Sequence, residues 1–106
     1  MPIPDYQSLM LPVLRGLADR NEHSVAQVRE AIAADLKLSE VELAERLASD
    51  TTTVFVNRIG WAVQYLKAAA AIKAVRRGVY AITERGVSPA KTYTLKRIDQ
   101  DYFENL

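Results

Sequence analysis

Thr53-Val54-Phe55-Val56-Asn57-Arg58-Ile59-Gly60-Trp61-Ala62-Val63-Gln64-Tyr65-Leu66-Lys67-Ala68-Ala69 runs, after two more alanines, into Ile72-Lys73-Ala74-Val75-Arg76-Arg77-Gly78-Val79-Tyr80-Ala81-Ile82. The apolar period changes between the two segments. In the first, Phe55, Ile59, Ala62, Leu66 and Ala69 recur three and four apart, one face of a helix from about Val54 to Ala69. Ser49, Asp50 and Thr51 to Thr53 offer the caps to start it. In the second, Ile72–Val75 and Val79–Ile82 flank Arg76-Arg77-Gly78 and read as a β-hairpin, with Gly78 supplying the positive φ of the loop.

Working back towards the N-terminus, Tyr6, Leu9, Met10, Val13, Leu14 and Leu17 share a helical face. Pro12 lies inside that pattern and is expected to kink it. Asp19 to Glu22 form a polar break. Ser24 with Gln27 is a capping-box pair that opens a second helix, with Val25, Val28, Ile32 and Leu36 inward. Ser39 with Glu42 repeats the signal for a short third helix containing Val41, Leu43 and Leu47. Helices followed by a basic-tipped hairpin make a mainly α fold with a small β-hairpin (α+β), in the order of a winged helix-turn-helix. Beyond the hairpin, Thr83 to Gly86 begins a helical turn that Gly86, Ser88 and Pro89 are expected to interrupt. Residues 90–98 read as strand or linker, and Leu95, Ile98, Tyr102 and Leu106 have helix-like spacing. The expected division is a domain over 4–86 and a tail over 87–106, partly ordered at most.

A chain of 106 residues, 49% apolar and 25% charged, has the size and balance of one globular domain. With no cysteine and a single histidine, His23, it has neither disulfides nor thiolate or multi-histidine metal sites, and no cofactor is expected. It shows no secretory signal and no apolar run of membrane-spanning length, so a cytoplasmic setting without membrane contact is the expectation. The net charge of +1 conceals a strong polarity: residues 1–50 carry −4, residues 51–98 carry +8 and the last eight carry −3. One basic face, the electrostatic footprint of a polyanion partner, is the reading that distribution supports.

Two segments resemble the N-terminal domain of Mrr-type restriction endonucleases. Val54 to Ala69 is similar to that family's pattern V-F-x-N-R-x-G-W-A-x-x-x-L-K-x-A, and Arg77 to Thr83 is similar to its R-G-x-Y-x-I-T hairpin. Pro4-Asp5-Tyr6 and Leu11 to Arg15 resemble its opening, so the likeness runs in order from residue 4 to 86. The family is known for a winged-helix DNA-binding domain joined to a catalytic domain that cleaves modified foreign DNA, and the resemblance implies the first of those roles. Three departures stand out. Val56 occupies a position often charged in relatives, the usual A-G-L helix ending has become Ala69-Ala70-Ala71-Ile72, and the chain after Gly86 lacks the usual helical continuation.

The long helix is the expected recognition element, its first turns approaching base edges in the major groove of double-stranded DNA. Thr51, Thr52 and Thr53 offer hydroxyls and helix-start amides to phosphate, or serve only as caps. Asn57 has the donor and acceptor that suit adenine, with Gln64 seven residues on along the same face. Holding the turn to the core is an equal reading of Asn57. Arg58 is placed to stack on an aromatic ring or to touch phosphate. Trp61 reads as core or as a packing shoulder for the hairpin, because duplex DNA hides base faces. Gly60 in mid-helix suggests the close approach of another backbone, from a neighbouring helix or from DNA. Arg76 and Arg77 at the hairpin tip, with Lys67, Lys73 and Arg85 in the same stretch, complete the expected contact set.

Enzyme readings find no support. Asp35-Leu36-Lys37 imitates an acidic-x-Lys nuclease ending but lies at the end of an alanine-rich helical segment, and the four glycines are too scattered for a phosphate loop. His23 beside the Ser24 cap reads as a polar loop residue. The alternatives to DNA targeting are a winged-helix module for protein interaction or dimerisation, and a stand-alone transcriptional regulator. The sequence leaves a homodimer open.

Overall fold

Asp5 starts the first helix: its carboxylate accepts the Ser8 amide at 2.7 Å, and α1 runs Tyr6–Gly16. The computed structural model describes residues 3–49, 52–91, 98 and 102. Pro12 sits inside α1 without ending it. After a polar turn come β1 (His23–Ser24), α2 (Val25–Asp35) and α3 (Glu40–Ala44). Both capping boxes form as their sequences require, Ser24 with Gln27 and Ser39 with Glu42, each satisfying two amides at its helix start. The long helix α4 (Val54–Ala68) follows, then β2 (Ile72–Arg76), β3 (Val79–Ile82) and α5 (Glu84–Lys91).

The three strands form an antiparallel sheet in the order β1-β3-β2. Ile72 faces Ile82, and an irregularity between Ala74 and Arg76 brings Arg76 opposite Val79. Arg77 and Gly78 are left as a two-residue tip, with Gly78 at φ 74°. The expected hairpin is therefore present, and β1 adds a third strand that the sequence pattern did not announce. Two residues are too short to show alternation. The Val25 amide also donates to the Gly78 carbonyl at 2.9 Å, so the start of α2 is tied to the hairpin tip. A mainly helical chain with a strand between its first two helices and a terminal hairpin on one sheet is the α+β arrangement of a winged helix.

The core is built around α1, whose Leu9, Met10, Leu11, Val13 and Leu14 are buried against Phe55, Ile59, Ala62, Val63 and Leu66 of α4. Ile72 and Ile82 extend it beneath the sheet, and Val28 and Ile32 of α2 close one side. Full burial of each large aliphatic side chain stabilises by about 1.5–3 kcal/mol, so this cluster is the main force holding α4 in place.

Two local expectations need correction. Leu47 is not part of the third helix, which ends at Ala44. It lies in the connection to α4, where its amide donates to the Thr52 carbonyl at 3.1 Å beside a β-bridge between Arg46 and Thr53. Val41, in α3, is 82% exposed. The second correction is α5, which runs unbroken through Gly86, Ser88 and Pro89. Gly86, Pro89 and Ala90 are its buried positions, an i, i+3, i+4 face made of small residues. Further on, Ile98 is buried in the same core and the half-buried Tyr102 packs against it.

The end of α4 is a Schellman turn: the Ala71 amide donates to the Leu66 carbonyl at 2.9 Å and the Ala70 amide to Lys67 at 3.0 Å. Ala70 therefore adopts φ 62°, a left-handed conformation that favours glycine. Ala70→Gly is expected to stabilise the domain by about 0.5–1 kcal/mol, the alanine strain outweighing the extra freedom of unfolded glycine. A thermal melt should rise by roughly 2–8 °C, and an unchanged or lower midpoint would refute the strain.

Candidate nucleic-acid interface

Because α4 packs its Phe55, Ile59, Ala62 and Leu66 side inward, the opposite arc faces solvent. Val56, Gly60, Gln64 and Lys67 are exposed along one line of that arc, and a rise of about 1.5 Å per residue from 56 to 67 makes it about 16 Å long. Asn57 sits half-buried beside the line. No acidic residue occurs in α4. An ideal Cβ added at Gly60 meets nothing within 4 Å among the described residues. The expected approach of a neighbouring helix is thus absent, and only the approach of an outside partner remains of that reading. Glycine in mid-helix costs about 1 kcal/mol relative to alanine, and the described contacts return nothing for it.

The other residues singled out on the helix fall into separate roles. Thr53 is the N-cap, its hydroxyl accepting the Val56 amide at 3.2 Å, and Thr52 lends its carbonyl to the Leu47 amide. Thr51 lies outside the described residues. Arg58 is directed inward: its guanidinium donates to the carbonyls of Ile3 and Pro4, anchoring the N-terminal segment to α4. That geometry replaces the expected stacking on an aromatic ring. Trp61 is the converse correction. It is 52% exposed rather than core, standing 6.3 Å from the Tyr65 ring, which stacks in turn on Tyr6 at 4.9 Å. Residue 61 falls at the border of the exposed arc, where helical spacing alone does not decide its direction.

The hairpin supplies the second group of cations. Lys73, Arg76 and Arg77 are all exposed. Among the described residues, Lys67, Lys73 and Arg77 have no carboxylate partner, whereas Arg76 donates to Glu22 at 2.9 Å. Arg85 is exposed on the first turn of α5. Next to the hairpin, Arg20 donates to Glu84 from both terminal guanidinium nitrogens, which holds the Glu84 carboxyl below its ordinary range. The Asn21 amide, and after it the His23 ring, likewise lowers Asp19. The segment 19–23 is therefore a band of alternating charge that braces the hairpin, and His23 serves it both as a strand residue and as a partner of Asp19. A groove of about 500 Å³ beside it includes Arg20, Glu22, Lys73 and Glu84, and its two carboxylates make it unsuited to an anion.

Among the described residues there is no cluster of three or more metal-ligating side chains, and no helix is long and apolar enough to cross a membrane. The sequence pattern described as the Mrr N-terminal domain matches residues 6–92. The type IV methyl-directed restriction enzyme EcoKMrr of Escherichia coli (strain K12) is 37% identical over 87 residues. That alignment covers 81% of this chain and 28% of the relative's length. No solved structure matches.

Proposed function

The chain belongs to the Mrr N-terminal domain family, and from that premise we propose that it binds double-stranded DNA in the cytoplasm as the targeting module of a modified-DNA restriction system. It acts in this reading without a nuclease centre of its own, either as part of a longer enzyme or as a nuclease-free relative. The observation that carries the proposal is the acid-free, exposed face of α4, with Gly60 leaving the helix backbone open and Lys67 on the same line. Helix-turn-helix proteins place the first turns of such a helix against base edges. Asn57 and Gln64 supply paired donors and acceptors there, while Thr52 at the helix start and Lys67 grip phosphates. The wing residues Lys73, Arg76 and Arg77, with Arg85, close on the backbone beside the groove.

A second reading rests on Trp61, whose exposure beside Tyr65 also fits a protein partner or a second copy of the chain. One experiment separates the two. Anisotropy of a fluorescent duplex, titrated with the folded protein across a salt series, is expected to show saturable binding. Its log–log salt slope should be several units steep, because each neutralised phosphate contributes about 0.9. A methylated copy of the duplex tests the restriction reading. Absence of binding at low salt would reject the DNA function in favour of the protein-interaction module.

A further inference from the structure

We propose, as a deepening of the duplex-DNA reading on which it rests, that Val56 and Gly60 form a reader for the 5-methyl group of a pyrimidine in the major groove. Val56 is the third residue of α4, within the turn that a recognition helix presents to base edges. The residue is 37% exposed, while its neighbours Val54, Phe55 and Ile59 are buried. The fold makes little use of it. A β-branched apolar side chain aimed at base edges gains nothing from their donors and acceptors, and pressing it on them would strip those groups of water. The groove offers one apolar feature at the level of the bases, the methyl at pyrimidine C5. Thymine carries it always, and 5-methylcytosine carries the same group at the same ring position.

Gly60 lies one turn further along the same line, and a Cβ there would meet nothing among the described residues within 4 Å. Having no side chain, it leaves the helix backbone uncovered at that point, and helical spacing makes Val56, Asn57 and Gln64 its neighbours on the surface of the helix. A base methyl can approach the backbone there, with two amide side chains nearby able to bond the neighbouring base edges. Lys67 ends the line, and the lack of any carboxylate in α4 gives the face the sign that DNA requires.

The test is a set of mixed-sequence duplexes in four versions: unmodified, deoxyuridine for thymidine, 5-methylcytosine for cytosine, and both changes together. Anisotropy is measured with the wild-type chain, with Val56→Ala and with Gly60→Ala, circular dichroism confirming that each is folded. Wild type is expected to bind roughly three- to five-fold tighter for each methyl it reads, the factor that burial of one such group provides. Val56→Ala should bind methylated and unmethylated versions alike, and Gly60→Ala should weaken binding to all. Affinity lost on deoxyuridine substitution assigns thymine as the source, and affinity gained with 5-methylcytosine assigns the modified base. Equal wild-type affinity for all four duplexes, or discrimination that survives Val56→Ala, would overturn the proposal while leaving DNA binding intact. No affinity for any duplex would instead remove the DNA reading, and this proposal with it.

Discussion

Gly86→Ala is expected to destabilise the domain by about 3 kcal/mol, at the upper end of overpacking costs. The midpoint of thermal unfolding should fall by roughly 12–24 °C. A Cβ at residue 86 would stand 2.3 Å from the Ala71 carbonyl oxygen, 2.9 Å from Cγ1 of Ile82 and 3.0 Å from Cδ2 of Leu14. The first of these is backbone, and it already accepts the Thr83 amide at 3.0 Å where β3 leads into α5. Relief would therefore break a hydrogen bond or push α5 off α1. Gly16→Ala is the internal control, because its Cβ would meet only Cγ1 of Val28 at 3.8 Å, an ordinary contact. The same melt should show little loss for that variant. A fall of under about 4 °C for Gly86→Ala would mean that α5 does not seat as described, since about 1 kcal/mol corresponds to that shift in a domain of this size.

The reason α5 escapes a reading of the sequence lies in the same residues. Gly86, Pro89 and Ala90 have helical spacing, but two of the three are helix breakers, and none is large enough to mark an apolar face. Tight packing against α1 overrides the propensities. By contrast, α4 and the hairpin were legible because Phe55, Ile59 and Leu66 are large and periodic, and because Gly78 stands where a positive φ is needed. The capping boxes at Ser24 and Ser39 were legible for a local reason, since all their partners lie within three residues. Directions of side chains at the border of a helix were not. Arg58 turns inward only because the carbonyls of Ile3 and Pro4, more than fifty residues away in sequence, are there to receive it. Trp61 turns outward beside a Tyr6–Tyr65 stack that spans a similar distance. Of the candidate site, the cations were recognisable as a group, but the Glu22 partner of Arg76 was not, because it is a tertiary contact.

That contact shapes what the wing should do. Replacing Arg76 and Arg77 together with alanine is expected to weaken duplex binding roughly ten- to a hundred-fold at low salt, since a charged hydrogen bond contributes about 1.5 kcal/mol or more. The log–log salt slope should fall by about 1.8, two phosphate contacts at about 0.9 each. Among the described residues, neither guanidinium has a partner beyond one exposed ion pair, which is worth at most about 1 kcal/mol, so the melting curve should barely move. The hairpin itself is held by its ladder, by Gly78 and by the Val25 amide, none of which the change touches. Glu22→Gln gives the opposite sign. In the free domain Glu22 occupies the Arg76 guanidinium much as a phosphate would, so a phosphate must displace it. Removing that carboxylate charge should raise affinity by no more than about five-fold, the ceiling that an exposed pair sets. If the double variant binds with unchanged affinity and slope, the hairpin tip does not touch DNA, and recognition rests on α4 alone. If the double variant loses binding but Glu22→Gln changes nothing, Arg77 is the contact and Arg76 stays with Glu22.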